Sequence, residues 1–425
     1  MVTGAVPGDE VDARVVRDRG RFVEAVAHRI ERTSPARRAA PCAIQQSCGG
    51  CPLMVVGEAA QRSAKRQFII DALERIARLP VGGRVNEVVA APSDLAYRNK
   101  IELCFGGYDV GRPVLGYHRA GLPTELVDVE SCAVADPRLQ PLLDVVRAFF
   151  LGGPGSTEPA IMESREPLRV VLRTSSRENE RLVVLRGLAG PFSTLTEFAR
   201  VAAQADPGLV GVVRLIATRG RRGGASLQTV AGRAWMADEV LGTSFRVPAG
   251  TFLQVHSVAA ERLGRHVLDG AGSPQRVLEL YGGIGALGLA LARAGAEATI
   301  VDADPDAIAC GSEAASAHGL ATAAFVRSDV LSFLAASGRR ITPDLVIADP
   351  PRTGLGNGVA HRLAALDAAR IALVSCDPAT LSRDLGALVA RGYAIEEITP
   401  FDLFPQTAHV EAVAWLRRER PSRVR

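Results

Sequence analysis

Residues 276–302 read RVLELYGGIGALGLALARAGAEATIVD. A short apolar run ends at Glu279-Leu280-Tyr281 and enters a turn carrying Gly282, Gly283 and Gly285. An Ala/Leu-rich helix follows, and a second apolar run ends on Asp302. Glycines in such a turn let the backbone approach a ligand and bend directly into a helix. Runs of four to six apolar residues that end in small or acidic residues, separated by helical stretches, predict a parallel sheet wound with helices. The same pattern recurs in AAFVRSD (323–329), PDLVIADPP (343–351) and RIALVSCD (370–377). Ligands of such sheets bind beyond the carboxyl ends of the strands. Asp302, Asp329, Asp349 and Cys376 all fall at those ends.

Two further strands close the chain, AIEEITPFDLF (394–404) and HVEAVAWLR (409–417). The connection around Pro405 is short, so a hairpin is expected and the last strand should run antiparallel. Its first residues would then lie on the same edge as the tips of the parallel strands, which carries Glu411 to the ligand side. Upstream, residues 57–79 have helical spacing at Ile69, Ile70, Leu73, Ile76 and Leu79. Residues 93–235 mix strand runs such as LRVVLRT and RLVVLRGL with turns, an α+β pattern. Residues 1–35 alternate apolar and polar positions and predict one or two strands.

Composition sets outer bounds. The 425 residues are 47% hydrophobic and 23% charged, with a net charge of +4. That is ordinary for two or three globular domains. A small positive balance permits nucleic-acid binding without arguing for it. Lys65 and Lys100 are the two lysines among 50 basic residues; the rest are arginine. The arginines of RGRRGG, Arg219, Arg221 and Arg222, are candidate RNA contacts or simply a solvated turn. With no apolar run of membrane-spanning length and no apolar signal core at the N-terminus, a cytoplasmic protein is expected.

The glycine turn alone leaves two ligands open. Gly283, Gly285 and Gly288 also satisfy G-x-G-x-x-G with an acid at dinucleotide-fold spacing, which suits a nicotinamide-dependent oxidoreductase. The later strands favour methyl transfer. Asp349-Pro350-Pro351 forms a rigid turn after a strand, a feature of methyltransferases that act on flat nitrogenous groups. An aromatic after the prolines would suit an exocyclic amine; Arg352 stands there instead. A lone cysteine is most often a small buried hydrophobe. Cys376, at a strand tip facing the cleft, has the position of a nucleophile. Thiolate addition to carbon 6 of uracil makes carbon 5 nucleophilic, which divides one difficult step into easier ones. A base must then take the carbon 5 proton, and Glu411 stands where one is needed.

Seven cysteines in a chain of this kind point to metal or catalytic use before disulfides. Cys42, Cys48 and Cys51 form C-x5-C-x2-C on a glycine loop, and Cys132 is the candidate fourth ligand. Spacing alone leaves zinc and iron–sulfur both open.

Six stretches together resemble the 5-methyluridine RNA methyltransferase family: AYRNKIEL (96–103), GTFLQVH (250–256), LELYGGIG (278–285), ADPPRTGL (348–355), SCDPATLSRD (375–384) and DLFPQTAHVEAV (402–413). The resemblance spans nearly the whole chain in order. It implies an α/β protein: a class I (Rossmann-like) methyltransferase domain over 241–425, and a central α+β domain over 41–240. It also implies, over 1–40, a truncated OB-like TRAM β-barrel that binds RNA. The opening strands of that barrel are missing, so a start further upstream is expected. The resemblance further implies S-adenosylmethionine contacts from Gln254, Tyr281, Asp302, Asp329 and Asp349, with Cys376 as nucleophile and Glu411 as base. Similarity to the iron–sulfur branch implies a 4Fe-4S cluster on Cys42, Cys48, Cys51 and Cys132, and tilts the substrate to 23S ribosomal RNA over tRNA. Three positions depart from the family pattern: His256 for Asn, Gly282 for Cys and Asp377 for Asn. A non-catalytic RNA-binding protein of the same fold is a further alternative, against which both Cys376 and Glu411 speak.

Overall fold

The structure, a computed structural model, describes residues 2–81, 83–109, 112–152, 169–187, 194–217, 225–337 and 342–419. Arg219, Arg221 and Arg222 lie outside these. Strands β1 (Val2–Thr3), β2 (Glu10–Asp18) and β3 (Val23–Arg32) form a small sheet in the order β1-β3-β2. Three strands form where one or two were expected. Val15, Val16, Phe22, Val23, Val26 and Ile30 are exposed on it.

Helix α1 (Glu58–Ala72) continues into one wide π turn, Leu73–Ala77, and stops at Arg78 in the left-handed conformation (φ 54°). The helical spacing of 57–79 is thus realised. Ile69 and Leu73 pack into the core of the C-terminal sheet, not that of the central one.

The central sheet comprises β4 (Lys100–Asp109), β5 (Arg112–Arg119), β6 (Leu122–Asp128), β7 (Arg169–Thr174), β8 (Arg181–Arg186), β9 (Leu209–Ala217) and β10 (Ala225–Gly232). Its order is β10-β9-β8-β7-β4-β5-β6, and only β8 and β9 run parallel. Helices α2 (Gln140–Leu151) and α3 (Leu195–Ala205) cover one face, burying Leu142, Val146, Phe150, Phe198 and Ala202 against Leu103, Leu172 and Leu185. A hairpin of β11 (Trp235–Val240) and β12 (Thr243–Pro248) leads to α4 (Ser257–Ala271).

The last sheet alternates strand and helix. It contains β13 (Arg276–Leu280), α5 (Ala286–Arg293), β14 (Glu297–Asp302), α6 (Pro305–Ala317), β15 (Ala323–Arg327), α7 (Val330–Ser337), β16 (Leu345–Ala348), α8 (Gly356–Ala365), β17 (Arg370–Ser375), α9 (Pro378–Val389), β18 (Tyr393–Phe401) and β19 (Glu411–Arg418). The order is β15-β14-β13-β16-β17-β19-β18. The first five strands in chain order, β13 to β17, run parallel, and β19 runs antiparallel between β17 and β18. Strands buried on both faces read as continuous apolar runs, and every residue of β16 is buried. Helices α1, α7, α8 and α9 pack on one face, while α4 and α5 pack on the other with Trp415. Where β13 has β14 on one side and β16 on the other, the strand order reverses. A ligand crevice opens at such a switch point. Among the described residues no helix is long and apolar enough to cross a membrane.

Candidate active site

The crevice is built from the glycine turn upward. Tyr281 takes a left-handed conformation (φ 58°), as do Gly283 and Gly285 (φ 55° and 74°). For tyrosine this conformation is costly and marks a constrained turn. A Cβ on Gly285 would fall 2.7 Å from the Phe325 ring, whereas one on Gly283 would meet nothing within 4 Å. Gly285 is therefore required by packing, and Gly283 borders open space. The Gly283 N–H donates to Oδ2 of Asp302 (2.8 Å), and the Asp304 N–H donates to Oδ1 (2.8 Å). These bonds fix the Asp302 carboxylate beside the turn. Asp329 caps α7 by accepting from the Ser332 N–H (2.9 Å), and bonding to Ser332 holds its carboxyl below the usual range. Below the turn Glu279 is buried and accepts from the Gly288 N–H (2.8 Å); burial raises its carboxyl to about 8.

A cavity of about 350 Å³ runs from this turn to Asn99 and Ser176, beside the central sheet. Gln254, Tyr281, Gly283 and Asp349 line it, with Val374 behind and Phe252, 67% exposed, at its side. Asn99, just before β4, holds the Gln254 segment: its Nδ2 donates to the Gln254 carbonyl (3.1 Å) and to Ser257 Oγ (2.7 Å). Asp302 and Asp329 stand beside this cavity without lining it.

Cys376 follows β17 directly, and Glu411 opens β19. The two strands pair with Ser375 opposite Ala412, so the next rung sets Cys376 against Glu411. Opposed residues of an antiparallel pair share a face. Glu411 is buried, and burial, followed by the charge of Asp349, pushes its carboxyl well above the usual range. Burial likewise raises the Cys376 thiol to about 11, with Glu411 and Asp349 adding to the effect. Asp349 opens to the crevice but is ringed by protein, which raises it to about 6. Arg352 opposes these shifts, favouring the charged forms of both Cys376 and Glu411. It reaches His409 Nε2 at 3.4 Å. The strand tips thus gather one thiol, two carboxyls and one guanidinium, a set suited to nucleophilic addition followed by proton transfer.

The departures from the family pattern have local reasons. Asp377 caps α9, accepting from the N–H groups of Ala379 and Thr380 (both 2.9 Å); Asp and Asn serve equally well there. His256 caps α4 through the Ala259 N–H (3.4 Å) and stacks on Tyr97 at 4.6 Å. A Cβ on Gly282 would fall 2.6 Å from Ile300 Cγ2, so the cysteine usual in the family does not fit this packing.

The cysteines form a second cluster. Cys42, Cys48, Cys51 and Cys132 line one cavity of about 100 Å³ with Ile44, Met54, Tyr117, Val129 and Arg98, and among the described residues no carboxylate lines it. Burial raises the thiol of Cys51 to about 12 and moves Cys48 in the same direction. Among the described residues, however, no three His, Cys, Asp or Glu side chains come together closely enough to hold a metal ion. The four thiols predicted to share a site do share a cavity, without forming a ligand shell in this structure. Cys104 and Cys310 stand apart; Cys310 is buried, with its Sγ 3.4 Å from the Arg246 carbonyl.

Several site residues received no role from the sequence. Arg352 was visible only as the residue after the prolines. Lys65 is fully buried, and its Nζ bonds Asp402 Oδ1 at 2.6 Å and the Phe404 carbonyl at 3.0 Å. Its signal was its rarity, one of two lysines in a chain that otherwise uses arginine. Gln406 and Asn99 lay within quoted motifs but offered no chemistry on which to single them out.

Comparison with known proteins agrees with this geometry. Residues 338–419 match the family described as tRNA (Uracil-5-)-methyltransferase, and residues 264–368 match one described as conserved hypothetical protein 95. A protein of Thermosynechococcus vestitus named as an uncharacterized RNA methyltransferase is 33% identical over 98% of this chain and 92% of its own. One of the same description from Gloeobacter violaceus is 33% identical, covering 98% and 91%. The fold is similar to that of Pyrococcus abyssi tRNA (uracil-54, C5)-methyltransferase, solved in complex with S-adenosyl-L-homocysteine. That match has a TM-score of 0.73 and 23% identity, and covers 98% of this chain and 95% of that one. The nicotinamide reading of the glycine turn is set aside, and the chain belongs to the family of RNA methyltransferases that carry the uracil-5-methyltransferase domain.

Proposed function

We propose that this protein transfers a methyl group from S-adenosylmethionine to carbon 5 of one uridine in a structured RNA, with 23S ribosomal RNA favoured. The observation that carries the reading is the pairing of β17 with β19, which sets Cys376 against Glu411 at the strand tips, near the Asp349 that lines the crevice. Gln254, Tyr281, Asp302, Asp329 and Asp349 are the residues proposed to hold the cofactor, which supplies an electrophilic methyl on a sulfonium cation. Asp302, oriented by two backbone N–H groups, keeps lone pairs for a ribose diol.

Cys376, as thiolate, adds to carbon 6 of the uracil, and the electron pair of the 5,6 double bond moves into the ring as an enolate. Carbon 5 then takes the methyl group from the sulfonium, whose S–CH3 bond breaks with its electron pair left on sulfur, releasing S-adenosylhomocysteine as a neutral thioether. Glu411, ionised in the working complex, removes the proton from carbon 5. The electrons of that C–H bond re-form the double bond and expel the Cys376 thiolate. Arg352 favours the ionised state of both groups. The base must leave its stack to meet a thiol at this depth, so the target is a loop or flipped nucleotide.

Cys42, Cys48, Cys51 and Cys132 are proposed to hold a 4Fe-4S cluster. Their common cavity and the absence of carboxylates from its lining support this. The cluster has no part in methyl transfer and serves folding or RNA contact. Residues 1–40 are proposed as an RNA-binding segment of TRAM type, and the setting as cytoplasmic. The second reading is a tRNA substrate, which the matched family description and the Pyrococcus protein favour.

Release of tritium from RNA labelled at carbon 5 of uridine, dependent on S-adenosylmethionine, tests the reaction; methylation without release overturns it. Mapping of 5-methyluridine in rRNA and tRNA of a deletion strain decides the substrate.

A further inference from the structure

The turn that carries the proposed base is longer than the short connection expected around Pro405, and long for a hairpin. Nine residues, 402–410, join β18 to β19, where two to five are usual. A turn of this length is ordinarily mobile and exposed. Here Asp402, Leu403, Gln406 and Thr407 are buried.

Gln406 is fully buried in the left-handed conformation (φ 71°). Its amide Nε2 donates to the Asp94 carbonyl (3.1 Å) and to Asp94 Oδ2 (2.9 Å). Its Oε1 accepts from Arg38 Nη2 and from Gln61 Nε2 (both 2.9 Å). Its backbone N–H donates to Gln61 Oε1 (3.0 Å), and its carbonyl accepts from the Leu53 N–H (2.9 Å). Every polar group of the residue is used, and the partners come from four separate places in the chain. Two of them flank the cysteine loop: Leu53 lies two residues past Cys51, and Arg38 four residues before Cys42. Tyr97 and Lys65 grip the neighbouring residues, Tyr97 Oη donating to the Pro405 carbonyl (3.0 Å).

We propose that Gln406 is a positioning residue for Glu411, locking the turn so that the carboxyl stays against the carbon 5 proton. It also ties that turn to the cysteine loop. This rests on the base role proposed for Glu411. The site needs an amide and not merely a side chain of this size. A carboxylate at 406 would keep the shape and the two accepted bonds but would face Asp94 with no proton to give.

Gln406→Glu in the full chain tests this, using uridine-containing and 5-fluorouridine-containing transcripts of an RNA that the wild type methylates. Fluorine at carbon 5 leaves no proton to remove, so the fluorinated RNA is trapped on Cys376 and reports addition and methyl transfer alone. The expected result is trapping within about twofold of wild type, with kcat on ordinary RNA reduced about tenfold or more and KM little changed. Gln406→Asn, which keeps an amide but is shorter, should recover part of kcat. Wild-type turnover by Gln406→Glu overturns the proposal. So does a parallel fall in trapping and turnover, which marks a merely structural role. Glu411→Gln is run beside it. If that variant turns over normally, the base assignment itself fails; if it stalls while Gln406→Glu does not, only the role of Gln406 fails.

Discussion

Thiols occupy two different settings in this molecule. Cys376 stands at a strand tip among charged groups: the carboxyls of Glu411 and Asp349 and the guanidinium of Arg352. Cys42, Cys48, Cys51 and Cys132 stand in a cavity walled by Ile44, Met54, Val129 and Tyr117, with Arg98 the sole charged side chain lining it among the described residues. Burial raises the thiols of Cys376, Cys48 and Cys51 alike. A raised thiol is therefore no mark of catalysis. What separates the two settings is the company each keeps. A nucleophile that must be expelled again needs a cation and a base beside it, whereas a ligand set needs only more thiols.

The largest effect should follow removal of the single thiol. Cys376→Ala should lower turnover by about 10⁴-fold or more and abolish trapping of fluorinated RNA; full methylation by this variant would erase the distinction. Glu411→Gln should reduce turnover by about 10²–10⁴-fold, with a protein–RNA adduct accumulating on ordinary uridine RNA, visible on denaturing gels. The quartet should behave otherwise. Cys48→Ser should weaken RNA affinity or lower the unfolding temperature, while the single-turnover rate on bound RNA stays within about twofold of wild type. Normal stability and affinity would remove the quartet from both roles.

Acidity sharpens the contrast further. A thiol raised to about 11 is almost wholly protonated at neutral pH, and its thiolate fraction grows about tenfold per pH unit below that value. The rate of trapping should therefore rise with pH between about 6 and 8, limited by the thiolate form. A rate falling over that range would contradict the proposed addition step. The smallest effect is expected next door. Asp377→Asn exchanges two equivalent helix caps, so stability should change by less than about 0.5 kcal/mol by thermal unfolding.

The sequence disclosed one half of this comparison better than the other. Period, strand ends and the Pro405 connection were enough to expect the parallel sheet, the antiparallel last strand and the arrival of Glu411 beside Cys376. These are local patterns, and apolar runs buried on both faces leave little ambiguity. The fastening of the base turn was not legible. Lys65, Gln406 and Arg38 act through partners tens to hundreds of residues away, and a polar side chain carries no period that reveals a distant partner. Nor was it legible that α1 packs on the C-terminal sheet, since an amphipathic helix specifies a buried face and not the surface that covers it. Spacing grouped Cys42, Cys48 and Cys51, with Cys132 as the distant candidate; the four line one cavity, but among the described residues they do not draw together into the expected ligand shell.

Strand β19 comes last in chain order among the strands of its sheet, yet it lies inside that sheet, between β17 and β18. During synthesis β17 and β18 emerge first and cannot pair with each other in the final arrangement. They must wait with open edges until the stretch bearing Glu411 arrives and closes both. The proposed nucleophile and the proposed base therefore meet in a single late event, and a nascent chain carrying Cys376 alone lacks the partner that the proposed reaction requires.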